Sequence, residues 1–157
     1  MNSKMMFENK YSQEVKDAHN DKIYRSFFTY EARNKFGWIP VDQEIVLKHF
    51  KSILEDEGFQ VCRKITQRIQ AAAHISVVLP REMDSLSHKK LRDAEMKWSR
   101  NSGQVNFQIS GATLYKKGDV TFAALTVTSP DVYKLRSDLG LEEKPQDFET
   151  HISVGEK

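Results

Sequence analysis

The tetrapeptide His-Ile-Ser-Val occurs twice in this chain, in AAAHISVVLP at residues 71–80 and in ETHISVGEK at residues 149–157. Both copies lie in stretches whose composition predicts a β-strand. Side chains alternate between the two faces of a strand, so the His and Ser of each copy share one face while the Ile and Val share the other. We therefore predict two strands that bury Ile and Val and that leave their histidines and serines on open faces.

The elements around the two copies are predicted by periodicity and by residues that end helices. Apolar residues at helical spacing predict a helix at 43–57, and Ser129, Pro130 and Gly140 mark the start and the end of a second helix. The segment after Pro80 is predicted to be a basic helix or a long ordered loop. A helix followed by HISV thus occurs twice, which predicts two similar lobes. Strands are predicted at 23–32, 59–69, 71–80, 105–115, 119–128 and 148–155, the fourth and fifth forming a hairpin.

The composition bounds the class of protein. A chain of 157 residues with 39% hydrophobic and 29% charged residues fits a single domain, residues 1–157, in which residues 1–22 form a short helix or a polar N-terminal arm. The net charge of +2 confines any nucleic-acid-binding surface to a local basic patch. The sequence has neither an apolar run long enough for a membrane span nor the apolar core of a signal peptide. We therefore expect a cytoplasmic protein, and the single Cys62 excludes an internal disulfide.

The repeated His and Ser side chains predict a chemistry if the two lobes bring them to one cleft. One imidazole can accept a proton from water or a ribose hydroxyl while the other donates a proton to the leaving oxygen. Each serine hydroxyl can donate a hydrogen bond to a phosphoryl oxygen and hold the phosphate between the histidines. The pattern therefore predicts metal-free phosphodiester chemistry. The alternative is a structural protein in which the repeat is a coincidence.

The paired motifs resemble those of the 2H phosphoesterase superfamily, in which the pattern hydrophobic-His-x-Ser/Thr-hydrophobic occurs twice. In this chain the motifs are Ala73–Val77 and Thr150–Val154, with Thr150 where an apolar residue is more usual. The resemblance covers roughly residues 40–157. It implies an α+β fold of two pseudo-symmetric lobes, with antiparallel sheets around a central groove.

The resemblance also implies a site and its substrates. His74 and His151 are expected to be the acid/base pair and Ser76 and Ser153 the phosphate ligands, with no metal and no cofactor. The expected substrate is a nucleotide, a cyclic (oligo)nucleotide or an RNA end, cleaved at a 2′,3′-cyclic phosphate, a 2′-5′ linkage or a cyclic oligonucleotide signal. Which histidine is the base stays open. A non-catalytic module that binds a nucleotide or RNA end in the same groove is the alternative function.

Residues near the motifs are candidates for substrate binding. Arg81 and Lys157 follow the two motifs in sequence and are candidates for phosphate contacts. Trp38 and Tyr115 are candidates for stacking on a base, with core packing as the alternative for each.

Two further groups of residues carry weaker signals. A run of basic residues between positions 89 and 100 is open to two interpretations, phosphate attraction beside the groove or a solvated helix face. The histidines outside the motifs have no convincing metal-ligand spacing, and we predict no catalytic role for them: His19, His49 and His88.

Overall fold

The computed structural model describes residues 2–33, 36–67, 72–101, 104–144 and 149–157. Within these residues the fold is α+β, as predicted. The helices are α1 (Ser3–His19), α2 (Gln43–Leu47), α3 (Phe50–Asp56), α4 (Arg63–Thr66), α5 (Pro80–Met83), α6 (His88–Lys97) and α7 (Pro130–Asp138). The strands are β1 (Tyr24–Ser26), β2 (Thr29–Glu31), β3 (Phe36–Pro40), β4 (Gln60–Val61), β5 (His74–Val78), β6 (Val105–Lys117), β7 (Val120–Thr128) and β8 (His151–Glu156).

Two antiparallel sheets carry one HISV copy each. The larger sheet has the strand order β1-β6-β7-β8-β4, and the smaller sheet has the order β2-β3-β5. The HISV copies lie on β8 and β5, and these two strands contact each other although they belong to different sheets. The two sheets therefore meet at the two motif strands.

The motif strand β5 contains one extra residue directly after His-Ile-Ser. Ser76 pairs with Trp38 and Val78 pairs with Gly37, so Val77 has no ladder partner in β3. A bulge of this kind shifts the alternation of side chains by one residue. Val77 and Val78 are consequently both buried, although they are neighbours in sequence.

The motif strand β8 contains the equivalent bulge. Ser153 pairs with Ala124 and Gly155 pairs with Ala123, which makes Val154 the extra residue. The burial pattern of β8 repeats that of β5: the His and Ser are half-buried, and the Ile, the Val and the residue after it are buried. The repeated tetrapeptide thus encodes one local structure twice, a half-buried His and Ser followed by a bulged Val.

A buried arginine ties the helix of one half to the motif strand of the other. Arg136 of α7 exposes 2% of its surface and donates a hydrogen bond of 2.5 Å from Nη1 to the carbonyl oxygen of the bulged Val77. It also donates two hydrogen bonds, of 2.9 and 2.8 Å, to the carboxylate of Glu82. Glu82 accepts a further hydrogen bond of 2.9 Å from the backbone N–H of Leu79. Arg136 therefore satisfies a carbonyl that the bulge removes from the ladder, and it holds the turn that follows β5.

The N-terminal segment is a helix packed on β6, which is the first of the two predicted alternatives. Ser12 of α1 bridges the backbone of Ala112, accepting from its N–H at 3.1 Å and donating to its carbonyl at 2.9 Å. Gly111 permits this approach, since a Cβ there would lie 3.0 Å from Ser12 Oγ. The buried residues of α1 form a narrow stripe with a spacing of four: Phe7, Tyr11, Val15 and His19.

Two predicted elements are divided in the structure. The predicted helix at 43–57 is two helices, α2 and α3, separated by a turn at Lys48 and His49. The predicted strand at 23–32 is two short strands, β1 and β2, which belong to different sheets. Phe28 lies between them, exposes 1% of its surface, and donates its backbone N–H to the carbonyl of Trp98 at 2.9 Å. The chain crosses between the sheets at this anchored residue.

The predicted strand at 59–69 is wrong for most of the residues that the structure describes there. Only Gln60–Val61 pair with β8, and α4 begins at Arg63. Cys62 and Ile65 are both buried three residues apart, which is the spacing of a helical turn rather than of a strand.

The other strand predictions near the motifs are partly confirmed. The strand within 71–80 runs from His74 to Val78 and is the outer strand of its own sheet, although it is buried by contact with β8. The final strand begins at His151. Residues 68–71, at the junction of two predicted strands, and residue 148, at the start of the last one, lie outside the described residues.

Several predictions for the second half are confirmed. The hairpin is formed by β6 and β7, with Gly118 at a φ of 63° in its turn. The predicted helix is α7: Ser129 Oγ accepts from the N–H of Val132 at 3.2 Å, Pro130 is the first helical residue, and Gly140 follows the helix with a φ of 76°. The segment after Pro80 contains two helices, α5 and α6.

Gly155 follows the bulge in β8, and we predict that Gly155→Ala destabilises the protein. A Cβ at this position would lie 2.5 Å from Leu54 Cδ2 and 3.2 Å from Phe59 Cβ, and Leu54 is itself buried. Overpacking of this kind typically costs about 1–3 kcal/mol of the free energy of unfolding. Urea denaturation measures the cost, and it should be smaller in a Leu54→Ala background, where the closer of the two contacts is absent. An equal cost in both backgrounds would contradict the prediction.

Candidate active site

The strand β5 places His74 beside aromatic side chains of β3. The His74 ring lies edge-on to Phe36, with ring centroids 5.1 Å apart and planes at 88°. Phe36 in turn stacks on Trp38, with centroids 5.2 Å apart and planes at 13°. Trp38 pairs with Ser76 across the two strands, and directly opposite residues of a ladder share one face. His74 and Ser76 therefore lie on a face that they share with an aromatic pair.

The strand β8 places His151 against a backbone carbonyl. Its Nδ1 lies 2.5 Å from the carbonyl oxygen of Glu149. A carbonyl oxygen can only accept a hydrogen bond, so Nδ1 carries the proton of the neutral ring and Nε2 carries the lone pair. Burial lowers the pKa of His151, and the contact with Glu149 opposes this shift only in part. His151 is therefore mainly neutral near pH 7, which is the protonation state of a general base.

Tyr115 of β6 contacts both motif residues of β8. Its hydroxyl is hydrogen-bonded to Ser153 Oγ at 2.5 Å, and its ring centroid lies 4.8 Å from that of His151. Burial raises the pKa of Tyr115, so its phenol stays protonated near pH 7. A hydroxyl pair of this kind can offer a hydrogen-bond donor to an anion.

The surroundings of the two histidines are similar. Tyr115 stacks on Phe122 of β7 with ring centroids 5.0 Å apart and planes at 15°, much as Phe36 stacks on Trp38. Each motif histidine therefore contacts one ring of a stacked aromatic pair. This likeness extends the pseudo-symmetry from the tetrapeptides to the residues around them.

Contact between β5 and β8 brings the two His/Ser pairs to neighbouring strands. The intervening Ile75 and Ile152 are fully buried, which fixes the orientation of each strand and leaves its His and Ser half-exposed. Two imidazoles and two hydroxyls on adjacent strands can exchange protons with, and donate hydrogen bonds to, a phosphoryl group.

The candidate substrate-binding residues occupy different environments. Tyr115 belongs to the cluster around His151. Trp38 exposes 5% of its surface, whereas its stacked neighbour Phe36 is half-buried. Arg81 is an exposed residue of α5, three residues after the end of β5 at Val78.

Lys157 lies on the opposite face of β8 from the motif side chains. Because Ser153 and Gly155 pair with adjacent residues of β7, they face opposite sides of the sheet, and Lys157 follows Gly155 by two positions. Its Nζ donates to the carbonyl of Glu57 at 3.0 Å and lies 4.4 Å from the centroid of the Phe59 ring. The bulge that the sequence did not reveal thus separates Lys157 from the His/Ser face.

Two of the basic side chains of the run form ion pairs on the solvated helix α6. Lys89 lies 3.5 Å from Asp93, and Lys97 lies 2.8 Å from Asp138. These contacts favour the solvated helix face over phosphate attraction for this helix. The guanidinium of Arg100, beyond the end of α6, lies instead over an aromatic ring.

Some residues of this region were not singled out from the sequence. Phe122 is the hairpin partner of Tyr115, and counting outward from a two-residue turn at Gly118 and Asp119 would have paired the two. The carbonyl of Glu149 and the guanidinium of Arg136 carry no local sequence signal, because their roles depend on residues that are distant or on backbone geometry.

Metal and thiol chemistry have little support among the described residues. No group of three or more His, Cys, Asp or Glu side chains in these residues is arranged to hold a metal ion. The thiol of Cys62 is buried, and burial raises its pKa to about 11, so it stays protonated near neutral pH. No described helix combines the length and the apolar composition needed to cross a membrane.

A family model described as "Swiss Army Knife, 2H phosphoesterase domain" matches residues 37–157. The match includes both HISV copies, the hairpin β6–β7 and α7, and it leaves α1, β1 and β2 outside. Comparison with curated proteins and with solved structures gives no match.

Proposed function

Because the chain belongs to the 2H phosphoesterase family, we propose that it is a metal-independent phosphodiesterase that cleaves a nucleotide or RNA phosphodiester by two-histidine acid/base catalysis. Membership of the family supports a phosphoesterase activity. The type of phosphodiester bond, the substrate and the roles of the catalytic residues are proposed here. The substrate is a 2′,3′-cyclic phosphate, a 2′-5′ linkage or a cyclic oligonucleotide. We propose that the reaction takes place in the cytoplasm.

In the proposed mechanism His151 is the general base and His74 is the general acid. Nε2 of His151 takes a proton from the attacking water as its oxygen forms a bond to phosphorus. The protonated imidazole of His74 gives a proton to the leaving oxygen as the old P–O bond breaks. Ser76 and the Ser153–Tyr115 hydroxyl pair donate hydrogen bonds to the phosphoryl oxygens and hold them in line. Exchange of protons with solvent returns both rings to their starting states.

The observation that carries the proposal is that the two motif copies lie on contacting strands with the same bulge and the same kind of aromatic neighbour. A coincidental repeat gives no reason for equivalent local structure at the two sites. The Nδ1 contact of His151 with the carbonyl of Glu149 supports its assignment as the base.

A substrate panel in the presence of EDTA tests the proposal. Purified protein is incubated with a nucleoside 2′,3′-cyclic phosphate, a 2′-5′ linked dinucleotide and a cyclic dinucleotide, and the products are separated chromatographically. We expect cleavage of at least one substrate, at a rate that EDTA does not change. Activity that disappears with EDTA would show that the reaction needs a metal ion.

The same panel separates the enzyme from a binding module. A module is indicated if calorimetry detects binding of one of these compounds while no product forms over long incubation at high protein concentration. Absence of both binding and turnover for all three classes would contradict the substrate proposal.

The pH dependence of the reaction tests the assignment of His151. Its protonated ring cannot accept a proton, so kcat/KM should decrease as the pH falls through the pKa of His151. Burial lowers this pKa, so the decrease is expected below the ordinary histidine value of about 6.5. A pH series of kcat/KM together with NMR titration of the His151 ring gives both quantities. A decrease that follows the titration of His74 instead would reverse the two roles.

A further inference from the structure

A depression with a mixed polar and apolar lining lies beside the strand that carries His74. Its volume is about 550 Å³, and its lining includes Arg25 of β1, Phe27, Pro40 at the end of β3 and Arg100. An adjoining depression of about 340 Å³ is also lined by Arg25 and Arg100, together with amide side chains. The two guanidinium groups therefore face a continuous concave surface.

The charge of this surface is mainly positive. Arg25 and Arg100 are exposed, and within the part of the chain that the structure describes neither makes an ion pair. The guanidinium of Arg100 lies 4.7 Å from the centroid of the Phe27 ring, which restrains its position. The one carboxylate in the described lining, that of Asp42, accepts the N–H of Glu44 at the start of α2 at 2.9 Å. Each guanidinium can donate two parallel hydrogen bonds, and few carboxylates nearby compete for them. The pair therefore suits an anion such as a phosphate.

The depression is connected to the His74 strand by the sheet. Pro40 lines the depression and is the ladder partner of His74, so the two residues are about 5 Å apart at Cα. Ser26 donates a hydrogen bond of 2.5 Å to the carbonyl of Pro40, which fixes β1 and its Arg25 against the end of β3. A substrate that places its scissile phosphate at His74 and continues along β3 towards Pro40 would bring a further phosphate to the arginines.

We propose that Arg25 and Arg100 bind a second phosphodiester group of an oligonucleotide substrate, in addition to the one that is cleaved. This inference rests on the proposed function, because it takes His74 as part of the reacting site. It selects among the proposed substrates: oligonucleotides with two or more phosphodiester groups, linear or cyclic, are bound more tightly than compounds with a single group.

Calorimetric titration with phosphorothioate-linked oligonucleotides tests the inference without relying on turnover. The probes are a dinucleotide with one linkage, a linear trinucleotide with two, and a cyclic trinucleotide with three. In Arg25→Gln/Arg100→Gln protein we expect affinity for the trinucleotides to fall about tenfold or more, and affinity for the dinucleotide to be unchanged. The slope of log affinity against log salt for the linear trinucleotide should decrease in magnitude by about 0.7 for each phosphate that the variant no longer neutralises.

The control is Lys4→Gln/Lys51→Gln, which removes the same charge at exposed positions of α1 and α3. It should leave the affinity for all three probes within about twofold of wild type, since surface charges at a distance are largely screened. A loss confined to the linear or to the cyclic trinucleotide identifies which form the depression accepts, and either supports the inference. Unchanged trinucleotide affinity in the arginine variant, or an equal loss for the dinucleotide, overturns it while leaving the proposed function intact. Wild-type protein that binds none of the probes overturns both.

Discussion

The His151→Ala and His74→Ala variants are each expected to lose a factor of about 10²–10⁴ in kcat, because a positioned general acid or base contributes an acceleration of this size. The effect on KM should be small, since the serines that bind the phosphate remain. Both histidines are half-buried on strands whose isoleucines and valines carry the packing, so folding should be preserved. Steady-state kinetics on the preferred substrate, with circular dichroism as a check of folding, measures both effects.

The matched control is His88→Ala, since His88 is an exposed histidine at the start of α6, away from the motif strands. It should have the activity of wild type. The double variant His74→Ala/His151→Ala should lose little more than the worse single variant, because residues that act as one unit in catalysis are not additive. Fully multiplicative losses would indicate that the two histidines do not serve the same step.

The Arg136→Met variant is expected to lose about 3–5 kcal/mol of the free energy of unfolding, as is typical when one partner of a buried ion pair is removed. The substitution leaves the carboxylate of Glu82 and the carbonyl of Val77 without their donors. Burial disfavours the charged form of Glu82, but the hydrogen bonds from Arg136 and Leu79 outweigh it and lower the pKa of Glu82. Urea denaturation gives the loss directly, and the midpoint of thermal unfolding should fall by about 10 °C.

Two further variants show whether this loss arises from the buried pair. Lys134→Met changes an exposed cation of the same helix and should alter stability by less than about 0.5 kcal/mol. Glu82→Gln combined with Arg136→Met should cost less than the sum of the two single changes, because the second change then breaks no interaction. A loss in Arg136→Met no larger than that in Lys134→Met would show that the buried contacts are not coupled to folding.

The sequence predicted the parts of this fold that local signals determine. The hairpin β6–β7 and the helix α7 follow from residues adjacent in sequence, such as Ser129, Pro130 and Gly140, whose effects do not depend on distant partners. The strands of the two HISV copies, and the placement of Ile75 and Ile152 in the core, follow from alternation within a few residues.

The remaining features depend on contacts between distant parts of the chain. The bulges at Val77 and Val154 are a matter of register between strands, and the bulge in β8 is what turns Lys157 away from His151. The segment after Phe59 alternates like a strand, yet its ladder with β8 ends at Val61 and tertiary packing makes a helical turn of the rest. The stripe of α1 is too narrow to distinguish a packed helix from a solvated one without knowledge of β6.

In the candidate site, too, some features follow from local sequence and others depend on contacts between distant residues. The identity of the motif residues could be predicted, because the repeat itself carries the signal. Tyr115 was a candidate from the sequence, but its contact with His151 and that of Phe36 with His74 could not be predicted, since these rings come from strands that meet the motif strands only in the folded protein.

The most direct test of the account is a crystal structure of the full chain with a phosphorothioate analogue of whichever substrate it cleaves. We expect one phosphoryl group that accepts hydrogen bonds from Ser76 and Ser153 at about 3 Å, with Nε2 of His151 and the ring of His74 on opposite sides of the phosphorus. A phosphate that contacts only one motif copy, or two imidazoles too far apart to reach one phosphoryl group, would contradict the account.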